Sequence, residues 1–307
     1  MSGSDEAGWQ IEDDHLEQPS GVTAGLTPGL YVVATPLGNL ADISRRALDI
    51  LGNATIVAAE DTRHSARLLQ HYQIQAETVS CHEFTSEGKI QYLLSRMQAG
   101  ESIALISDAG TPLISDPGYV LVAACHRQGL AVHPVPGPCA AIAALSVAGL
   151  PSHNFRFEGF LPAKPGNRKK VLKTLAHESA TMIFYEAPHR VLACVDDIVE
   201  IFGVDHQMTV CRELTKRWET VKCASASDIA EWMRGDSNQQ RGEFVLIVAG
   251  VVNEESDAEV AEEVRHMLSV LMDNMPVSQA AAVAAKISGL KKNHLYQLAL
   301  NMQDEAE

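Results

Sequence analysis

No apolar run in the sequence is long enough to span a bilayer; the longest candidate, residues 140–150, reads as a buried helix. The first residues lack a basic-then-apolar pattern, so export is not expected. None of the six cysteines (Cys81, Cys125, Cys139, Cys194, Cys211, Cys223) stands in C-x-x-C spacing. That argues against a disulfide framework or a zinc site and predicts reduced thiols in the cytoplasm. Neither G-x-G-x-x-G nor the P-loop lysine pattern occurs, which disfavours a dinucleotide or ATP site. There is also no long-period repeat.

What the chain has in excess is acid, with a net charge of −15 over 307 residues. A uniformly negative surface would repel RNA. The excess is localised, however: residues 1–20, 253–263 and 304–307 hold fifteen acids and no Lys or Arg, which is the whole imbalance. The remaining body is neutral, so a local basic patch is compatible with the composition.

The length exceeds one hydrophobic core and predicts two domains. Residues 1–26 are acidic and aperiodic, and read as a disordered tail. From Leu30 on, short apolar runs alternate with helical periodicity. Strands are expected at 30–34, 55–59, 102–107 and 131–135. Helices are expected from Asp42 or Ser44, through 66–69 and 90–94, and at 119–128 and 140–148. This predicts an α/β domain over 27–150 with a largely parallel sheet. After Pro151 a second α/β domain, 151–252, is expected to carry strands at 155–160, 181–185, 208–212, 221–224 and 243–249. Helices are expected between them near 169–175, 191–202 and 226–233. An acidic linker at 253–260 then leads to a helical tail, in which Gly289 separates two helices in the layout of a helix-turn-helix or a plain αα-hairpin.

Three loops fall at the carboxyl ends of expected strands in the first domain, the place where α/β sheets bind ligands. They are Thr35-Pro36-Leu37-Gly38-Asn39-Leu40, Ser107-Asp108-Ala109-Gly110-Thr111 continuing to Asp116-Pro117-Gly118, and Pro136-Gly137-Pro138-Cys139-Ala140. Asp116-Pro117 has a ready structural use as N-cap and first helical residue. Asp108, at the strand end beside Gly110, has none, and a carboxylate there suits a cationic organic ligand; Mg²⁺ between the two aspartates is the competing use.

Those loops, together with Glu60-Asp61-Thr62-Arg63, Tyr185-Glu186-Ala187-Pro188-His189-Arg190, Arg212-Glu213-Leu214-Thr215-Lys216 and Gly242-Glu243-Phe244, occur in an order that closely resembles the ribosomal RNA small subunit methyltransferase I family of the tetrapyrrole-methylase superfamily. The resemblance covers about residues 29–252 and extends to the helical tail. One departure is Cys139, where the family usually has a small hydroxyl residue; weaker hydrogen bonding is expected there. The resemblance implies two α/β domains gripping S-adenosylmethionine in the cleft between them, a homodimer, and methyl transfer to the ribose 2′-hydroxyl of a cytidine in the decoding region of 16S rRNA, naked or within the 30S subunit. It implies cofactor contacts from Pro36, Leu37, Gly38, Asn39, Ser107, Asp108, Ala109, Gly110, Thr111 and Ser115. Pro136, Gly137, Cys139 and Ala140 join them, with Tyr185, Glu186, Leu214, Gly242, Glu243 and Phe244 on the adenine side.

Methyl transfer from a sulfonium is an in-line displacement, so alignment supplies much of the catalysis. The positive charge disperses in the transition state, so Asp108 is expected to hold the ammonium end and not the sulfur. The acceptor hydroxyl needs a general base. Candidates are Glu60, Asp61, His64, His82, Glu186 and Glu213, with Lys216 as a group that lowers the hydroxyl pKa. For Glu186 and Glu213 an ion pair with Arg190, Arg212 or Lys216 is an equally good reading. For phosphate contact the densest basic group is Lys164, Arg168, Lys169, Lys170 and Lys173; Arg212, Lys216 and Arg217 make a second group, and Arg190 is a further candidate. Two other functions fit parts of the pattern: a tetrapyrrole methyltransferase on the same fold, and a nucleic-acid-binding regulator using the helical tail.

Overall fold

The computed structural model describes residues 25–251, 254–290 and 292–304. Most of the tail expected at 1–26 therefore lies outside the described residues.

The first half is a five-stranded sheet in the order β3-β2-β4-β1-β5, every pairing parallel. Its strands are β1 (Gly29–Val33), β2 (Ile56–Ala59), β3 (Glu77–Ser80), β4 (Ser102–Ile106) and β5 (Val132–Val135). β2 and β4 are buried along their whole length, which is why they read as unbroken apolar runs. β5 contains Pro134, which has no N–H to give, and accordingly lies at an edge. β3, at the other edge, was not expected: Glu-Thr-Val-Ser offers one strongly apolar residue and no alternation. Between the strands run α1 (Arg45–Asn53), α2 (Thr62–His71), α3 (Glu87–Gln98) and α4 (Tyr119–Arg127). α1 starts as its sequence dictates, with Ser44 Oγ accepting from Ala47 N at 3.1 Å and Ala47, Ile50 and Leu51 turned into the core.

The second sheet has the order β6-β7-β10-β8-β9. Its strands are β6 (Phe155–Phe160), β7 (Thr181–Glu186), β8 (Gln207–Arg212), β9 (Thr220–Ser225) and β10 (Phe244–Val248), antiparallel except for β6 with β7. One face, with Met182, Phe184, Val210 and Leu246, packs on α6 (Pro165–Thr174), α7 (Val191–Phe202) and α8 (Ala226–Gly235).

The opposite face is covered by α5 (Ala140–Val147), which follows the last strand of the first sheet. Ala141, Ala144, Leu145 and Ala148 pack on Ile183, Cys211, Val245 and Ile247. A division near Pro151 therefore assigns α5 to the wrong sheet. The chain passes between the two halves through the Pro136–Cys139 loop, and α5 belongs to the second.

The tail is a three-helix unit, α9 (Glu254–Met272), α10 (Val277–Ser288) and α11 (Lys292–Asp304), around Leu268, Ala281, Ala284, Leu295 and Ala299. Gly289, at φ 73°, turns the chain after α10 as its position suggested. The stretch expected as an acidic linker is instead helical from Glu254, consistent with the high helix propensity of Glu and Ala.

Candidate functional site

Because β1 lies between β4 and β5, the loops leaving these three strands open side by side at one end of the sheet. They are fastened to one another. Thr35 and Gly110 exchange backbone hydrogen bonds of 2.8 and 3.0 Å, and Thr111 Oγ1 donates to Pro138 O at 2.9 Å. A Cβ on Gly110 would stand 3.1 Å from Leu37 Cδ2 at a φ of 81°, so glycine is what allows the approach.

The second half meets these loops through β7 and β10. A cavity of about 170 Å³ forms at the junction, walled by Leu37, Gly110, Ala140, Tyr185 and Phe244. Tyr185 Oη accepts from Ala141 N at 3.1 Å, and burial pushes its phenol up to about 12. Cys139 is the N-cap of α5 and makes no side-chain capping bond. A neighbouring cavity of about 610 Å³ shares Leu37, Ala109 and Glu243 with the first and adds Asp108, Lys216 and one face of α2. A third, also about 610 Å³, lies between the ends of β2 and β3 and the Ser115–Leu121 segment and meets the small one at Asp116. Of the remaining residues expected at a cofactor, Pro36, Gly38 and Ser107 line the second cavity and Ser115 the third. Asn39 caps the following 3₁₀ turn, accepting from Ala41 N at 3.1 Å, while Gly137 packs on Ala34.

Two loops of the site carry unusual backbone. Among the described residues five non-glycine positions have positive φ, and four of them are Leu113, Ser115, Glu213 and Thr215. Such strain concentrates where a surrounding site enforces it. Lys216 follows directly and lies over Gly38, where a Cβ would collide with its Cγ.

A model for tetrapyrrole (corrin/porphyrin) methylases matches residues 29–230, and one described as the RsmI C-terminal HTH domain matches residues 258–303. The chain is 50% identical over 277 residues to the ribosomal RNA small subunit methyltransferase I of Pseudomonas aeruginosa, covering 90% of this chain and 98% of that one. To the Escherichia coli O157:H7 protein of the same name it is 48% identical, covering 89% and 95%. The chain belongs to the ribosomal RNA small subunit methyltransferase I family. Among solved structures, uroporphyrin-III-C-methyltransferase from Thermus thermophilus superposes with a TM-score of 0.52 at 20% identity, over 75% of this chain and 98% of that one. Diphthine synthase does so with 0.53 at 16%, over 72% and 89%. At such identities these two establish the family's fold and nothing further.

Several acid–base candidates of this family member have structural duties. Glu186 has a fully buried side chain on the Met182–Phe184 face of β7, away from the cavities, and binds Arg190 and Ala187 N. It lines none of the three cavities, and its ion pair with Arg190 is the alternative reading its sequence position offered. Glu213 Oε1 accepts from Glu243 N at 2.8 Å and from Lys216 Nζ at 3.2 Å, tying the two β-edge loops. Burial pulls the Lys216 ammonium down, but its bonds to Glu243 and Glu213 outweigh this and leave its pKa raised. Asp61 caps α2, and its hydrogen bonds with Arg63 hold it at about 2, too acidic to take a proton at neutral pH. His82 Nδ1 accepts from Phe84 N at 3.2 Å, which in the neutral ring leaves the proton on Nε2. His64 faces the second cavity with Arg67, Leu68 and His71. These are positions i, i+3, i+4 and i+7 of α2, so one helix face turns Arg67 and two imidazoles toward the cavity.

Two carboxyl groups beside the cavities stand apart, Glu60 from the sequence candidates and Asp116, whose sequence context suggested a capping role. Burial raises the pKa of Glu60, partly offset by Asp108 N. Asp116 does not cap α4: the N-cap is Gly118 at φ 128°, so neither Asp116 nor Pro117 occupies the position expected. Burial instead pushes its carboxyl up to about 6. Among the described residues no group of three or more His, Cys, Asp or Glu is arranged to hold a metal ion.

The basic group is only partly at the surface. Arg168 is 1% exposed, with Nε 2.6 Å from Asp197 Oδ2, and so is removed from any RNA surface. Lys169 is engaged by Glu200 at 2.5 Å and Asp197 at 3.5 Å. Arg190 is held by Glu186. Arg212 is buried and donates to the carbonyls of Arg241 and Trp218. Lys164, Lys170 and Lys173 are exposed.

Proposed function

We propose that the protein transfers a methyl group from S-adenosylmethionine to small-subunit rRNA, at the ribose 2′-hydroxyl of a cytidine in the decoding region. The observation that carries this reading is the convergence of three strand-end loops of one sheet and the Tyr185–Phe244 edge of another on one cavity. At about 170 Å³ the cavity is smaller than a typical small-molecule site, so it suits the adenosyl part alone. The methionine end would continue past Ala109 toward Asp108, whose carboxylate suits an ammonium. The family supports RNA as acceptor over a tetrapyrrole: relatives named for rRNA match nearly end to end, whereas the tetrapyrrole enzymes share only the fold.

We further infer a homodimer in the cytoplasm acting on the 30S subunit. Among the described residues no helix is long and apolar enough to cross a membrane.

The test is incubation with labelled S-adenosylmethionine and 30S subunits, naked 16S rRNA or a corrin precursor. Nucleoside analysis of the RNA should give 2′-O-methylcytidine; label in the corrin alone would replace this reading with the tetrapyrrole one. Phosphate contact is assigned to Lys164, Lys170 and Lys173. Replacing all three by alanine should lower RNA affinity and reduce the log–log salt slope by about 2. Filter binding across a salt series checks this, and an unaltered slope would move the RNA surface elsewhere.

A further inference from the structure

Methyl transfer needs the donor and the acceptor hydroxyl to meet at a group that can take a proton, and the cavities specify where. The small cavity and the one beside the ends of β2 and β3 have a single lining residue in common, Asp116. The larger cavity has the character of a nucleotide site: Phe84 and Tyr119 on its wall are 85% and 73% exposed, two rings free to stack on a base. Its acidic lining, Glu60, Glu83 and Asp116, repels phosphate and favours the sugar and base of a nucleotide over its backbone.

We propose that Asp116 is the general base of the reaction, accepting the proton of the acceptor ribose hydroxyl at the junction of the two cavities. This rests on the reading of the protein as a 2′-O-methyltransferase. S-adenosylmethionine supplies the methyl carbon, and the electron pair of its carbon–sulfur bond returns to sulfur. The hydroxyl O–H bond breaks as the oxygen–methyl bond forms; the proton passes to a carboxylate oxygen of Asp116 and afterwards to water. Charge balances, because a sulfonium and a carboxylate become a thioether and a neutral acid.

The surroundings tune the carboxyl for this work. Removal from water is the largest influence, and the Ser107 hydroxyl, also 3.3 Å from Ala109 O, partly offsets it. The carboxylates of Glu60 and Asp108 face it and push in the same direction as burial. Tyr185 approaches from β7, and Glu243 also lines the small cavity, while His82 and Glu83 line the larger one. The result, about 6, leaves the group ionised at neutral pH yet basic enough to accept a proton, unlike Asp61 at about 2. As a base it acts when ionised, so the rate should be flat above neutrality and fall about tenfold per unit of pH below about 6.

The experiment compares wild type, Asp116→Asn and Ser107→Ala in single-turnover methylation of 30S subunits across pH. Calorimetric affinity for S-adenosylmethionine, thermal unfolding and carboxyl ¹³C NMR titration accompany it. Asp116→Asn should lower the rate by about 10²–10⁴ and remove the acidic limb, with cofactor affinity held within about threefold. Ser107→Ala should move the limb and the NMR titration upward together, a shift that a merely structural Asp116 would not produce. A rate for Asp116→Asn within about threefold of wild type, or a limb unmoved in Ser107→Ala, overturns the assignment. Wild type that methylates no RNA at all overturns the underlying function instead, which keeps the two failures distinct.

Discussion

Arg168→Ala should lower the free energy of unfolding by about 3–5 kcal/mol, the usual cost of stripping one partner from a buried ion pair. Arg168 Nε lies 2.6 Å from Asp197 Oδ2 and its Nη2 3.3 Å from Ala193 O, so α6 is tied to α7 beneath the second sheet. Removal leaves Asp197 nearly buried with Lys169, 3.5 Å away, as its remaining ion-pair partner. Urea denaturation measures the loss. The double variant Arg168→Met with Asp197→Leu should recover most of it, because an apolar pair of similar bulk carries no charge to desolvate. RNA affinity at fixed folded concentration should keep its salt slope, in contrast to the triple lysine variant. Wild-type stability with a flattened slope would return Arg168 to the RNA surface.

Asp108→Asn should weaken S-adenosylmethionine binding by about 1.5–3 kcal/mol, the usual worth of a charged hydrogen bond, or roughly tenfold to a hundredfold. The substitution is close to isosteric and keeps an oxygen to accept from Asp61 N, which lies 3.3 Å from Asp108 Oδ1. The backbone around β2 is thereby preserved and only the carboxylate charge is lost. Calorimetry on the pure variant reads the change directly. An unaltered dissociation constant would place the cofactor's ammonium elsewhere.

The expectations that held were those in which local sequence and tertiary environment agree. β2, β4 and β10 are buried on both faces and announce themselves as apolar runs; α1 shows both its cap and its stripe. The three strand-end loops were legible because their Gly and Pro residues punctuate an α/β alternation, and the β4-β1-β5 adjacency then brings them together. β3 was missed for want of apolar residues, and α9 because acidity masked a good helix former.

Of three positions that differ from expectation, two carry their explanation in the local residue pattern. Arg168, Leu172 and Leu175 are spaced i, i+4, i+7, so the arginine lies on the buried stripe of its helix. Glu186 shares parity with Met182 and Phe184, whereas Tyr185 shares it with Ile183. Asp116-Pro117 satisfied a capping rule well enough to hide its position between two cavities; nothing local revealed that the helix begins later, at Tyr119. Which groups face each other across the junction is a property of the assembled halves, and a linear reading had no access to it.

The route of the chain also limits how the molecule can be divided. Since α5 is the lid of the second sheet, a fragment beginning at residue 151 would leave Ile183, Val245 and Ile247 bare to water, while its counterpart ended in an apolar helix with nothing to rest on. The two halves are thus dovetailed through one helix, and insertions or truncations are better tolerated beyond Val251, whose N–H, donated to Glu178 O, still ties the chain to the second half.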